Sequence, residues 1–201
     1  MAKVLVLFFH PGQRHSSVNL ELAKVARAAA GVTFADVYAE YPTFAINIDA
    51  EQARLLEHDI IVFQFPVYWY STPSLMKEWQ DLVLEYGFAY GQGGAKLAGK
   101  AFFPVVTAGG AAEAYSETGK NHFSLRTLFS PLEQTANLCQ MRFMPPFVLF
   151  SAQHLDSDPR ISRHALAYKG LLEALRDDRF DYEKSSRQSL LLTDTVPVLE
   201  P

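Results

Sequence analysis

The feature that most constrains the fold is an apolar segment that ends in three consecutive aromatic residues enclosed by prolines. Residues 59–65 have the composition of a buried strand, and the chain continues as Pro66-Val67-Tyr68-Trp69-Tyr70-Ser71-Thr72-Pro73. Ser71 or Thr72 can cap a helix that begins at Pro73. Open α/β sheets bind ligands at such strand-to-helix loops. The aromatic residues therefore either cover a flat ligand or pack the helix onto the sheet.

The rest of the chain alternates between strand and helix patterns. Strands are predicted at 4–9, 32–37, 59–65, 101–106 and 142–150, the last interrupted by Pro145-Pro146. The first helix is predicted to follow a cap at Ser17 or Asn19 and to end near residue 30. Further helices are predicted at 50–58, with Asp49 as its cap, and at 73–86, 131–139 and 161–176. This order predicts a three-layer α/β sandwich around a five-stranded parallel sheet. Residues 1–176 form the domain, residues 87–100 and 111–129 are loops, and residues 177–201 are a peripheral tail.

Composition excludes several classes of protein. The 201 residues carry a net charge of −4 without a basic cluster, which disfavours nucleic-acid binding and gives no support to direct membrane binding. The apolar runs are too short to span a bilayer, and we expect no signal peptide before the first strand. The single Cys139 allows no internal disulfide, so a cytoplasmic location is expected.

Three predicted loops meet at the carboxyl ends of the strands. The first loop holds hydroxyl, amide and basic groups ahead of a helix: His10, Arg14, His15, Ser16, Ser17 and Asn19. Such groups can bind a phosphate, and the alternative is that they only cap the helix. The third is Thr107-Ala108-Gly109-Gly110, where glycine allows close approach of a ligand or simply a tight turn. With the aromatic loop between them, they suit a flat heteroaromatic ring that carries a phosphate tail.

Two other patterns carry no site. Residues 94–100 fit the start of a nucleotide-hydrolase phosphate loop, but Ala101 stands where Ser or Thr is needed and the segment precedes a strand. The histidines have no metal-ligand spacing, so no metal site is expected.

The motifs in these loops resemble those of the NAD(P)H:quinone oxidoreductase family of flavodoxin-like proteins. The resemblance rests on 7–11, 16–19, 65–79, 87–91 and 107–110, and it covers about residues 3–175. Residues 41–44 and 49–52 are most similar to the bacterial ancillary flavoproteins of glutathione-gated potassium-efflux systems. The resemblance implies FMN as cofactor, with FAD as the less favoured alternative, and NAD(P)H as co-substrate.

The resemblance also implies roles for individual residues. The phosphate and ribityl chain would be held by His10, Ser16, Ser17, Val18 and Asn19. The ring would be lined by Pro66, Val67, Tyr68 and Trp69, and its pyrimidine edge bound by Thr107, Ala108, Gly109 and Gly110. Tyr115 and His122 would support hydride transfer, with Asn121 as an alternative to His122. Tyr90 would reach the substrate pocket of the partner subunit in a homodimer.

The implied activity is a two-electron, ping-pong transfer of hydride from NAD(P)H through the flavin to a quinone. The alternative is a regulatory subunit that activates a membrane potassium-efflux protein, which would place it at the inner membrane through that partner. A small electron-carrier flavodoxin is disfavoured, because the Thr/Ser-rich phosphate loop of that class is absent.

Overall fold

A computed structural model describes residues 1–12, 16–155 and 158–199. Its strands pair in parallel in the order β2-β1-β3-β4, and both β5 and β6 pair with β4. The strands are β1 Val4–Phe8, β2 Val32–Asp36, β3 Ile60–Pro66, β4 Ala101–Thr107, β5 Arg142–Phe143 and β6 Phe147–Leu149. The flavodoxin-like parallel sheet is confirmed. Its fifth strand is divided in two, because Pro145-Pro146 cannot donate to a ladder.

The predicted helices are present, and their ends differ from the predicted ones by up to three residues. They are α1 Ser17–Ala28, α2 Val37–Glu40, α3 Ile48–Leu56, α4 Ser74–Val83, α5 Leu125–Leu128, α6 Ser130–Leu138, α7 Pro159–Arg176 and α8 Tyr182–Ser186. The short helices α2, α5 and α8 have too few residues to show a period in the sequence. Across the parts of the chain that the structure describes, none of the helices combines the length and apolar character needed to cross a bilayer.

The predicted caps of three helices are wrong. The cap of α1 is Ser16, and not Ser17 or Asn19. The cap of α3 is Asn47, whose side chain accepts from the Ala50 amide, and not Asp49. The cap of α4 is Pro73, in extended conformation, and not Ser71 or Thr72. Ser71 is unable to cap α4 because its backbone bonds to Tyr68 inside the aromatic loop.

The core lies in two layers on opposite faces of the sheet. Alternate residues of β1 point to opposite sides, with Val4 and Val6 packed beneath α1 and α7, and Leu5 and Leu7 packed toward α3, α4 and α6. This arrangement confirms the three-layer sandwich. It leaves the carboxyl ends of β1, β3 and β4 on one edge of the sheet, where their loops meet.

The segment after α7 is attached to the sheet. Phe180 and Leu191 are buried in the core beneath α7. The Leu191 amide donates to Pro146, and its carbonyl accepts from the Val148 amide, at distances of 2.8 and 2.9 Å. The tail thus runs along the outside of the fold while covering the free edge of β6.

Candidate functional site

A cleft of about 300 Å³ lies at the carboxyl ends of β1, β3 and β4. Ten residues expected from the sequence line it: His10, Ser16, Ser17, Val18, Asn19, Pro66, Val67, Tyr68, Thr107 and Gly109. Gly12, Ala152 and Gln153 line it as well and were not expected. Ala108, Gly110 and Trp69 are outside this lining. The three loops that the sequence assigned to one site are thus brought together.

A larger depression of about 490 Å³ lies at the opposite, amino-terminal edge of the sheet, beside Lys3, Arg54 and His58. The two ring nitrogens of His58 are engaged by the Arg54 carbonyl and the Thr33 hydroxyl, each at 2.7 Å. This histidine holds α3 against β2. Open α/β sheets bind ligands at the carboxyl ends of their strands. The smaller cleft lies at that edge and is lined by polar groups, so it is the candidate site.

One wall of the cleft is the first turn of α1. Ser16 caps the helix, because its hydroxyl accepts from the Asn19 amide at 3.3 Å. Free amides in a first turn, together with the helix dipole and the hydroxyls of Ser16 and Ser17, form an anion site. Arg14 and His15, which the sequence placed beside this turn, lie outside the described residues.

The floor of the cleft is a buried chain of side-chain hydrogen bonds. Asn19 Nδ2 donates to the Thr107 hydroxyl at 2.8 Å, and Gln64 Nε2 donates to the Asn19 carbonyl at 3.3 Å. The Tyr168 hydroxyl of α7 donates to Gln64 Oε1 at 3.1 Å. Asn19 Oδ1 is buried and has no partner within the described chain. A buried acceptor of this kind calls for a donor such as a ligand hydroxyl.

His10 closes the floor beside the aromatic loop. It is 3% exposed, and its Nδ1 accepts from the Gly12 amide at 3.2 Å. Burial lowers the pKa of His10, and this exceeds the opposite effect of Asp36. The ring is therefore neutral at pH 7, with its proton on Nε2. It meets the Tyr68 ring edge-on, with centroids 6.2 Å apart.

The aromatic loop is a two-residue reverse turn. Tyr68 and Ser71 exchange backbone hydrogen bonds of 3.1 and 2.9 Å, while Trp69 and Tyr70 have φ angles of 49° and 63°. Consecutive left-handed residues in such a turn are usually Asn or Gly, because side chains with a Cβ are strained there. The Trp69 side chain is 93% exposed and Tyr70 is 50% exposed. The indole therefore does not pack the helix onto the sheet, which removes that interpretation for Trp69.

The Gly-Gly loop after β4 lies against two side chains. A Cβ added at Gly109 would be 2.6 Å from Gln153 Cδ, and one added at Gly110 would be 3.2 Å from the Tyr115 ring. Burial raises the pKa of Tyr115, Tyr70 adds to this, and a backbone hydrogen bond with Gly110 opposes it. Because the pKa rises from an ordinary value near 10, the hydroxyl is protonated at pH 7 and available as a donor.

The sequence left open whether His122 or Asn121 faces the cleft. His122 is exposed, with a φ of 60°. Asn121 Oδ1 accepts from the Tyr70 hydroxyl at 3.5 Å, a long bond that joins this loop to the aromatic turn. Of these two residues, Asn121 is therefore the one with a hydrogen bond to the aromatic loop in the described part of the chain. Tyr90 meets Tyr86 edge-on at 5.8 Å and packs on its own subunit's core.

These groups fit FMN. The amino-terminal end of α1 can bind the phosphate, and the buried oxygen Asn19 Oδ1 can accept from a ribityl hydroxyl. Aromatic and amide groups border the part of the cleft that would hold the flavin ring. The cleft offers one anion site on a helix of sufficient length, as expected for a mononucleotide. The groups that would bind the phosphate therefore lie on α1, while those that would meet the ring lie after β3 and β4.

Comparisons with known proteins agree with this site. A relative from Cronobacter sakazakii, the glutathione-regulated potassium-efflux system ancillary protein KefG, is 45% identical over 168 residues, which are 84% of this chain and 91% of the relative. General stress protein 14 of Treponema denticola, solved in complex with FMN, is 34% identical with a TM-score of 0.81, over 86% of this chain and 99% of that one. An NADPH-quinone reductase from P. pentosaceus is 28% identical with a TM-score of 0.73, over 83% and 95%. The flavodoxin-like fold family matches residues 2–172, and the chain belongs to that family.

Proposed function

We propose that the chain is an FMN-dependent NAD(P)H:quinone oxidoreductase. The observation that carries the proposal is the cleft itself, where an anion site, a buried unpartnered acceptor and an aromatic turn converge from three loops. Similarity to a protein solved with FMN and to an NADPH-quinone reductase supports the same function.

Binding divides between two walls of the cleft. Ser16, Ser17 and the amides of α1 hold the phosphate, and Asn19 Oδ1 accepts from a ribityl hydroxyl. The ring lies against Tyr68 and Trp69, with its polar edge toward the backbone of residues 107–110. The neutral His10 adds no charge to the phosphate wall, so among the described residues attraction of the anion comes from the dipole of α1 and from hydroxyl groups.

When bound, FMN supplies the two-electron redox chemistry that links NAD(P)H oxidation to quinone reduction in a ping-pong sequence. The chain's own contribution is placement of donors. Tyr115 stays protonated at neutral pH and lies beside Gly110, where it can donate to negative charge that develops at the ring edge. Asn121 accepts a hydrogen bond from the Tyr70 hydroxyl and so contacts the aromatic turn. His122 is retained as a candidate catalytic residue beside Asn121.

We propose a homodimer in which Tyr90 and the 87–100 segment lie at or near the interface. Tyr86, which contacts Tyr90, is 64% exposed and gives this segment apolar surface that a second copy would cover. Light scattering should give twice the chain mass. A monomer that still reduces quinone would contradict the shared pocket.

The cofactor experiment is native mass spectrometry after reconstitution, followed by steady-state kinetics. We expect one FMN per chain, and parallel double-reciprocal lines for NAD(P)H at several quinone concentrations. Stoichiometric FAD, or a chain that binds no flavin, would overturn the proposed function.

A second candidate function is activation of a glutathione-gated potassium-efflux protein. Two observations favour it: the name of the 45%-identical relative, and the 93% exposure of Trp69 on a strained turn. The chain would then be cytoplasmic and peripheral to the inner membrane through that partner. Co-expression with such an efflux protein, read with a potassium electrode, tests it. Faster efflux with the chain than without it would favour this role, and unchanged efflux would contradict it.

A further inference from the structure

The side chain of Gln153 forms a wall of the cleft. It follows β6 in a short 3₁₀ turn, Ala152–His154, and lines the cleft together with Ala152. Its carboxamide lies across Gly109, since a Cβ at that position would meet Gln153 Cδ at 2.6 Å, Nε2 at 2.7 Å and Cγ at 2.9 Å. A side chain larger than glycine at 109 would therefore displace the Gln153 carboxamide.

The backbone fixes this side chain beside the Gly-Gly loop. The Ser151 amide donates to the Gly110 carbonyl, and the Ala152 amide donates to the Ala108 carbonyl, both at 2.9 Å. Ser151 has a left-handed φ of 59°, which turns the chain from β6 back over the loop. The position of Gln153 is thus set by two hydrogen bonds and a sharp turn on its amino-terminal side.

The carboxamide of Gln153 makes no hydrogen bond within the described part of the chain, although it lies in a polar cleft. A carboxamide presents one donor and one acceptor side by side. The pyrimidine ring of a flavin presents an imide edge, an N–H donor between two carbonyl acceptors. These two groups can form a pair of parallel hydrogen bonds.

We propose that Gln153 binds the imide edge of the flavin and, with the backbone of Gly109, forms its recognition rim. This inference rests on the proposed FMN-dependent function and adds a binding residue that comes from β6. The phosphate wall on α1 and this rim are separated by β3 and its aromatic loop. A cofactor with an anionic tail at one end and an imide at the other fits that separation.

The test compares substitutions at Gln153 with the same substitutions at Gln134, an exposed glutamine on α6 outside the cleft. FMN dissociation constants are read by fluorescence quenching, and two-electron potentials by spectroelectrochemistry. We expect Gln153→Ala to weaken FMN binding about tenfold, the effect of losing such a hydrogen-bonded pair. Gln153→Glu removes the donor and adds negative charge, so it should weaken binding of reduced FMN a further tenfold, which lowers the potential by about 30 mV. The Gln134 variants should match wild type.

A second variant tests the contact with Gly109. Gly109→Ala must displace the Gln153 carboxamide, so it should weaken FMN binding in the wild-type chain more than in the Gln153→Ala background. The inference is overturned if the wild type binds FMN while Gln153→Ala and Gln153→Glu keep its affinity within twofold and its potential. It is also overturned if the effects of Gly109→Ala and Gln153→Ala simply add. A wild-type chain that binds no FMN overturns both this inference and the proposed function.

Discussion

The substitution Tyr168→Phe tests how much the hydrogen bond between α7 and the floor of the cleft contributes to stability. Tyr168 is fully buried, and its hydroxyl donates to Gln64 Oε1 at 3.1 Å. Gln64 is itself fully buried on β3 and donates to the Asn19 carbonyl at 3.3 Å. Tyr168→Phe keeps the ring in the core and leaves Gln64 Oε1 without a partner in the described chain.

The magnitude follows from that unpartnered acceptor. A buried acceptor that loses its partner costs about 1–3 kcal/mol of stability, whereas a single oxygen leaves too small a cavity to add much. For a domain of this size each kcal/mol lowers the melting temperature by about 2–4 °C. We therefore expect Tyr168→Phe to lower the free energy of unfolding by ~2 kcal/mol and the melting temperature by ~4–8 °C.

The assay is urea unfolding of the flavin-free protein at pH 7, with Tyr182→Phe as the matched control. The Tyr182 hydroxyl makes no hydrogen bond within the described residues, so its removal should change stability by less than ~0.5 kcal/mol. In a Gln64→Leu background the acceptor is gone, and Tyr168→Phe should then cost little. A Tyr168→Phe protein as stable as wild type, with an unchanged m-value, would refute the reasoning.

Three further predictions concern the flavin ring, the aromatic turn and a buried histidine of α7. Tyr115→Phe should keep FMN affinity and slow flavin reduction by about ten- to a hundredfold in stopped flow, and an unchanged rate would leave Tyr115 only a packing role. Trp69→Ala should weaken FMN binding by ~1–3 kcal/mol and change the stability of the apoprotein by less than ~0.5 kcal/mol. An unchanged FMN affinity would show that the indole does not contact the flavin. Burial lowers the pKa of His164 to about 4. As the pH falls, this histidine is therefore protonated in the unfolded chain before it is protonated in the folded one. The free energy of unfolding should therefore fall by ~1.4 kcal/mol per pH unit as the pH drops from 6.5 towards 4. His164→Gln should lessen that slope, whereas the control His122→Gln should not. An equal slope in both variants would contradict the assignment of this pH dependence to His164.

The sheet and the meeting of three loops were predictable because burial on both faces leaves continuous apolar runs. Val4–Phe8 and Ile60–Pro66 contain almost no polar residue, so their strand character is visible without context. Once the strands are parallel, their carboxyl ends must share one edge. Ten of the expected binding residues line the cleft for that reason alone.

Gln153 and the tail were not predictable from local sequence. Gln153 reaches Gly109 through a turn between β6 and α7, and nothing in its neighbourhood of the sequence distinguishes it from a surface residue. Phe180 and Leu191 enter the core from irregular segments, where apolar residues show no period. Leu191 is placed by pairing with Phe147 of β6, and Phe180 by pairing with Val198, and both are tertiary interactions.

The turn at Trp69 and Tyr70 shows where a conflict between sequence and conformation is itself informative. Two bulky residues take left-handed backbone angles where glycine would cost nothing, and each such residue costs about 1–2 kcal/mol. Tyr70 is half-exposed, and Trp69 gains no compensation from burial, since its indole is 93% exposed. A fold has no reason to keep an exposed and strained tryptophan for its own stability, so the compensation must come from what the turn contacts in function. The same argument predicts that Trp69→Gly would leave the apoprotein at least as stable as Trp69→Ala does, because glycine relieves the strain that alanine keeps.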